Sequence, residues 1–199
     1  KEKAVDIMLN ELKAYGIGFY FFAVFMGLPL YIYDKYWEMA IHKWQIYLVS
    51  TLVFVGFMLC FQIYEIAKYF KGGGKFKEVF QNRNVTDWFV GIYLLASVVS
   101  FLFGMDKKAA WMGASGWYMG IIAQILFCVT YFVFRNVKVS GKLLLGMHGI
   151  TSAFCCFYGI CQRYGKDWMY LYWDMPDEVV RDYISTIGNR TWFSAYLCL

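Results

Sequence analysis

Apolar residues fall along this chain in long unbroken blocks, and short stretches between the blocks hold most of the charge. A bilayer core about 30 Å thick takes about 20 residues of helix at 1.5 Å each. Five blocks approach that length, at residues 16–32, 44–64, 88–105, 117–134 and 143–161, and a sixth opens at 192–199. Four of the six begin at a Trp (Trp44, Trp88, Trp117 and Trp192), whose amphipathic ring favours the head-group level. Pro29 lies near the end of the first block, where few helical hydrogen bonds are lost. Barrel strands alternate apolar and polar residues and these blocks do not, so the pattern predicts helices. The expected fold is all-α: a polytopic transmembrane helical bundle with five complete spans and the start of a sixth. Residues 1–199 form one incomplete transmembrane domain, with residues 162–191 as a loop. The chain lacks an initiator Met and stops inside the sixth block, so it reads as a fragment of a longer protein.

Composition agrees with the pattern. Of 199 residues, 60% are hydrophobic and only 17% charged, against about 25% charged in a soluble domain. The aromatic share of 22% excludes a disordered segment, and six Cys placed mainly inside apolar blocks are not a disulfide framework. The charged stretch before the first block argues against a cleavable signal peptide.

The Lys and Arg residues set the expected orientation. With the N-terminus cytoplasmic, eleven lie on the inner side and eight on the outer, and the loop from Lys68 to Arg83 dominates the difference. That loop is read as a topology signal that meets anionic lipid, not as a nucleic-acid site, since no folded reader or stacking platform accompanies it. Gly72-Gly73-Gly74-Lys75 is not a phosphate loop, because Phe76 replaces the metal-binding Ser or Thr and no strand precedes it. The three glycines read as a hinge.

Polar groups inside a span are either helix-to-helix bonds or functional sites. Gln124, Gln62 and His148 are expected to face the bundle and bond a neighbour, and Glu65 to reach water. Gly146, Gly149, Ala153 and Cys156 recur at helical spacing in the fifth block and predict close helix packing. Cys155, Cys156 and Cys161 lack the spacing and the His company of a zinc site, so no metal or cofactor is expected. With only His42 and His148 present, no Ser/His/Asp triad can be assembled. The triplets Asn84-Val85-Thr86 and Asn189-Arg190-Thr191 match glycosylation acceptors, a weak signal at this length.

Two segments on the expected outer side are unlike plain connectors. One carries Asp106, then Ala109-Ala110-Trp111-Met112-Gly113 and Trp117-Tyr118-Met119-Gly120. The other runs from Arg181 through Thr186-Ile187-Gly188-Asn189-Arg190-Thr191-Trp192, with Gly188-Asn189 favouring a tight turn before the sixth block. Together they resemble the bacterial O-antigen ligase and O-antigen polymerase-like superfamily. Its members carry an Asp, then Ala-Leu-Trp-Gly, then an aromatic residue or Arg and a Gly before one span. Before another they carry Thr-x-Gly-Asn followed by Pro-Asn or similar. The resemblance covers residues 88–199; residues 1–87 match in hydropathy alone. Trp117 stands where many members have Arg, and Arg190-Thr191 replaces Pro-Asn.

The resemblance implies an integral membrane glycan transferase of about ten to twelve spans in the bacterial cytoplasmic membrane. Such an enzyme moves a saccharide chain from undecaprenyl diphosphate to an acceptor glycan or surface molecule on the outer face, without a metal. The family's catalytic Arg and His belong to a later outer loop, so no catalytic residue is assigned here. Substrate-binding candidates are Arg181, Asn189, Arg190, Trp111 and Trp117. The two arginines are read either as holding the diphosphate or as solvated loop cations balanced by Asp177, Glu178 and Asp182. The partners expected are the bilayer, the lipid-linked glycan and its acceptor. The competing readings are part of a transporter or flippase, or a non-catalytic membrane scaffold. The first would need broken helices or inverted repeats near the midplane.

Overall fold

The computed structural model describes residues 2–33, 38–74, 84–135, 137, 139–172, 175–176 and 185–198. Every regular element among them is helical. In chain order these are α1 (Glu2–Phe21), a π-helical stretch Phe22–Gly27, α2 (Leu28–Leu30) and α3 (Met39–Lys71). After these come α4 (Val85–Phe103), α5 (Lys107–Met112), α6 (Ile121–Phe134), α7 (Gly141–Arg163) and α8 (Arg190–Leu197). Four stretches are long and apolar enough to cross a membrane: Val5–Leu30, Met39–Lys71, Val85–Phe103 and Gly141–Arg163. This is a membrane protein. The fourth expected span is shorter than its apolar block. Helix α6 has 14 residues and reaches only about 21 Å at 1.5 Å per residue. Residues 117–120 are held in a loop before it.

The chain divides into two compact units, residues 1–17 with 51–138 and residues 18–50 with 139–199. In the first, the start of α1 runs antiparallel to the end of α3. Lys68 donates to both carboxylate oxygens of Asp6 at 2.7 and 2.8 Å, and Lys13 pairs with Glu65. The Lys13 ammonium also lies 5.6 Å from the centre of the Phe61 ring. Helices α4 and α6 are antiparallel too. At one end Arg135 meets Asp87 at 3.1 Å, and Tyr131 donates to the same carboxylate at 3.0 Å. Further along, Tyr93 donates to Gln124, the helix-to-helix bond expected of a polar group in a span.

In the second unit the first span is interrupted for a reason written in its sequence. Pro29 has no N–H to give the Phe25 carbonyl four residues back, and its ring crowds that position. The helix widens before it: Leu28 N–H bonds Ala23 O, five residues away. Tyr196 of α8 supplies the missing donor, its hydroxyl reaching Phe25 O at 2.9 Å. The His148 ring packs beside this point, 4.7 Å from Tyr196 and 6.3 Å from Phe25 between ring centres.

Helix α7 reverses one expectation. Gly146, Gly149 and Ala153 are exposed, and a Cβ on either glycine would meet nothing within 4 Å. The buried face is instead Thr151, Cys155, Tyr158, Gly159 and Gln162. It carries the side chains that hydrogen-bond the following loop, so it turns inward and leaves the small-residue stripe outside.

Candidate functional site

The start of α8 is built on that buried face of α7. Ser185 and Thr186 are fully buried, although they belong to a turn. Every polar group of Ser185 has a partner. Its N–H donates to Gln162 Oε1 at 2.9 Å, its Oγ donates to the Cys155 carbonyl at 2.7 Å, and its own carbonyl accepts from Tyr172 OH at 2.7 Å. These bonds hold Ser185 at φ +50°, a left-handed conformation that disfavours a residue with a Cβ. Thr186 Oγ1 lies 3.4 Å from Cys155 Sγ, and Lys43 donates to the Thr186 carbonyl. The same ammonium bonds Pro29 O at 3.1 Å. Asp167 completes the support by accepting from Tyr158 OH and, at 2.8 Å, from Tyr172 N–H.

Beyond this anchor the turn closes through Gly188 at φ +86°, where only glycine is unstrained. Asn189 then caps α8, its side-chain oxygen accepting from Thr191 N at 2.9 Å and Trp192 N at 3.3 Å. Arg190, the first residue of α8, is exposed directly after the anchored turn. The buried cluster is closed to a ligand, since Gln162 is wholly enclosed. What it does is fix where the exposed Asn189 and Arg190 stand.

The other motif segment, in the first unit, forms a cleft of about 490 Å³ lined by Tyr93, Ser97, Ser100, Ala110, Met119 and Gln124 among others. Asp106 caps the short helix α5 by accepting from the N–H groups of Lys108 and Ala109, both at 3.0 Å. The chain then loops back so closely that two glycines are obligatory. A Cβ on Gly113 would strike the backbone of residues 118–120, and one on Gly120 the backbone of residues 111–113. Gly113 also sits at φ +92°. This crossing keeps residues 117–120 out of α6. Trp111 is half-exposed with its ring 5.6 Å from that of Phe101, and Trp117 is largely exposed.

Of the five substrate-binding candidates, Asn189 and Arg190 lie together at the start of α8, and Trp111 and Trp117 flank the glycine crossing. Arg181 lies outside the described residues. Sequence reasoning missed Lys43, Gln162, Asp167 and Tyr172, the residues that hold the turn. Lys43 had one signal, a cation at the edge of an apolar block, but nothing in the sequence ties it to Thr186, 143 residues away. Comparison with protein-family models, with curated proteins and with solved structures finds no match to this chain. Among the described residues, no group of three or more His, Cys, Asp or Glu could hold a metal ion.

Proposed function

We propose that the chain is the N-terminal part of an integral membrane glycan transferase of the O-antigen ligase or polymerase-like kind. In this reading it has five spans and the start of a sixth, its N-terminus is cytoplasmic, and it lies in a bacterial cytoplasmic membrane. The observation that carries the reading is the anchored turn before α8. A plain connector leaves its backbone in water, whereas Ser185 and Thr186 are buried and bonded to α7, Lys43 and Tyr172. The Thr186-x-Gly188-Asn189 motif is thereby held in one place, with Arg190 exposed beside it. A cation carried on an anchored backbone suits this chemistry, because undecaprenyl diphosphate leaves as an anion when the saccharide is transferred. The resemblance puts the family's catalytic Arg and His, and with them the base that would activate the acceptor hydroxyl, in a later outer loop.

Deletion of the gene is expected to make lipid-linked glycan accumulate, and the full-length gene to restore transfer. Full-length protein carrying both Arg181→Ala and Arg190→Ala is expected to restore it poorly at equal expression. Full restoration by that variant would remove the two arginines from the site. No accumulation in the deletion strain would remove the transferase reading itself.

One observation favours the transporter reading. The first span is broken at Phe22–Gly27, and its Phe25 carbonyl is served by Tyr196 from another helix. Transporters place substrate and ion sites at such breaks. Full-length protein in liposomes separates the two: movement of lipid-linked glycan between leaflets without any transfer to an acceptor would favour transport.

A further inference from the structure

The cleft of the first unit has a wall chemistry that selects its occupant. Tyr93, Ala96, Ser97 and Ser100 form one face of α4, opposed by Ala109 and Ala110 of α5 and by Gly120, Ile121 and Gln124 at the start of α6. No Asp, Glu, His, Lys or Arg is among the lining residues. The longer polar side chains are already used: Tyr93 OH donates to Gln124, Gln124 Nε2 donates to Met119 O at 3.2 Å, and Ser97 Oγ donates to Tyr93 O at 2.9 Å. A polar ligand would have to break these bonds, so the cleft rewards burial of hydrocarbon instead.

Its surroundings say where hydrocarbon comes from. Helix α4 is the least covered of the four spanning stretches, with 6% of its apolar window buried within the protein. Its residues Trp88, Phe89, Ile92 and Leu95 are all exposed, as lipid-facing side chains are. At the α5 end the uncharged lining gives way to charge. Lys107 reaches back to the Phe101 and Leu102 carbonyls at 2.9 and 2.5 Å, which leaves its third N–H for a phosphate; Lys108 is exposed beside it, and the Asp106 carboxylate is taken up in capping α5. Trp111 stands on the same short helix, a residue type that favours the head-group level. Uncharged walls whose longer polar side chains bond one another, ending at two lysines, match a lipid whose chain is buried and whose head group is anionic.

We propose that this cleft is a binding site for one acyl chain of an anionic glycerophospholipid, with its phosphate at Lys107 and Lys108. The volume of about 490 Å³ is on the scale of one acyl chain and not of a whole lipid. The glycine crossing forms the fixed rim, since Gly113 and Gly120 cannot separate without losing their backbone contact. The inference does not depend on the transferase reading and would hold for any membrane protein with these walls.

The test uses full-length protein in nanodiscs containing phosphatidylglycerol with a photoreactive acyl chain, followed by peptide mapping. Labelling is expected on residues 93–101 and 119–124. Excess unlabelled phosphatidylglycerol should suppress it, and phosphatidylcholine should suppress it about tenfold less well. Ala96→Phe and Ala110→Phe each fill the cleft and should reduce labelling about tenfold, whereas Ile92→Phe on the lipid face should leave it unchanged. The competition is read on the unaltered protein, so it decides the matter even if a filled variant fails to fold. Equal competition by phosphatidylcholine overturns the head-group assignment. Stronger competition by undecaprenyl phosphate assigns the cleft to a carrier lipid instead, and labelling spread evenly over α4 removes the site.

Discussion

The two units each enclose a cation and satisfy it differently. In the first, the Arg135 side chain is 18% exposed and meets an Asp87 carboxylate that is 3% exposed. Tyr131 OH and Asn84 N–H donate to the same carboxylate, at 3.0 and 2.8 Å. In the second, Lys43 is half-buried, and among the described residues it bonds the carbonyls of Pro29 and Thr186. No carboxylate among the described residues lies within ion-pair distance of it. A full charge facing a full charge is a brace whose halves cannot be removed singly. A cation facing carbonyls is a clasp, which holds two strands of backbone and can be replaced at lower cost.

The largest expected effect tests the brace. Asp87→Ala leaves Arg135 partly buried without its carboxylate, and breaking a buried pair this way costs about 3–5 kcal/mol. Thermal unfolding of the detergent-solubilised protein is expected to show a large fall in Tm. The double variant Asp87→Leu with Arg135→Met should recover most of that loss, because neither charge remains to be desolvated. If the double variant is as unstable as the single one, the pair is not what holds α4 to α6.

Next in size is the clasp. Lys43→Met keeps the length of the side chain and removes both bonds to carbonyls. Hydrogen bonds from a charged donor contribute about 1.5–3 kcal/mol. A cost of about 2 kcal/mol is expected, smaller than that of Asp87→Ala, with faster amide exchange confined to residues 185–189. A cost equal to that of Asp87→Ala would mean that Lys43 also neutralises a buried negative charge, and the contrast between the units would fail.

This contrast also marks what the sequence could and could not reveal. Apolar block length was enough for the long helices, because a spanning helix must satisfy its backbone internally whatever surrounds it. The turn at Gly188-Asn189 was legible for a similar reason: positive φ and an N-cap are local demands met by local residues. The partners of charged groups were not legible. Arg135 and Lys43 entered the reading only among the Lys and Arg residues counted for orientation. Their pairings depend on which helices lie side by side, which no local rule encodes. The small-residue stripe of α7 misled for the same reason. Gly146 and Gly149 permit close packing but do not require it, and the hydrogen bonds of Gln162 and Cys155 to Ser185 decided which face turned inward.

The smallest expected effect sharpens the comparison at the motif itself. Asn189 is a candidate for two jobs, capping α8 and contacting a glycan, and its amide can be altered so that they separate. Asn189→Ala removes the acceptor for Thr191 and Trp192 N–H, and loss of such a cap typically costs about 1 kcal/mol. Asn189→Asp keeps an acceptor of equal or better capping strength, so stability should stay within about a few tenths of a kcal/mol of the unaltered protein and Tm should barely move. It also loses the amide N–H donor and places a negative charge beside Arg190. If Asn189 only caps, the Asp variant retains full glycan transfer and the Ala variant falls in proportion to its lost stability. If the amide donates to the substrate, or the added negative charge draws Arg190 away from the diphosphate, the Asp variant loses transfer while its Tm is unchanged. That split would tie function to the exposed end of the anchored turn, with the buried clasp serving only to set its position.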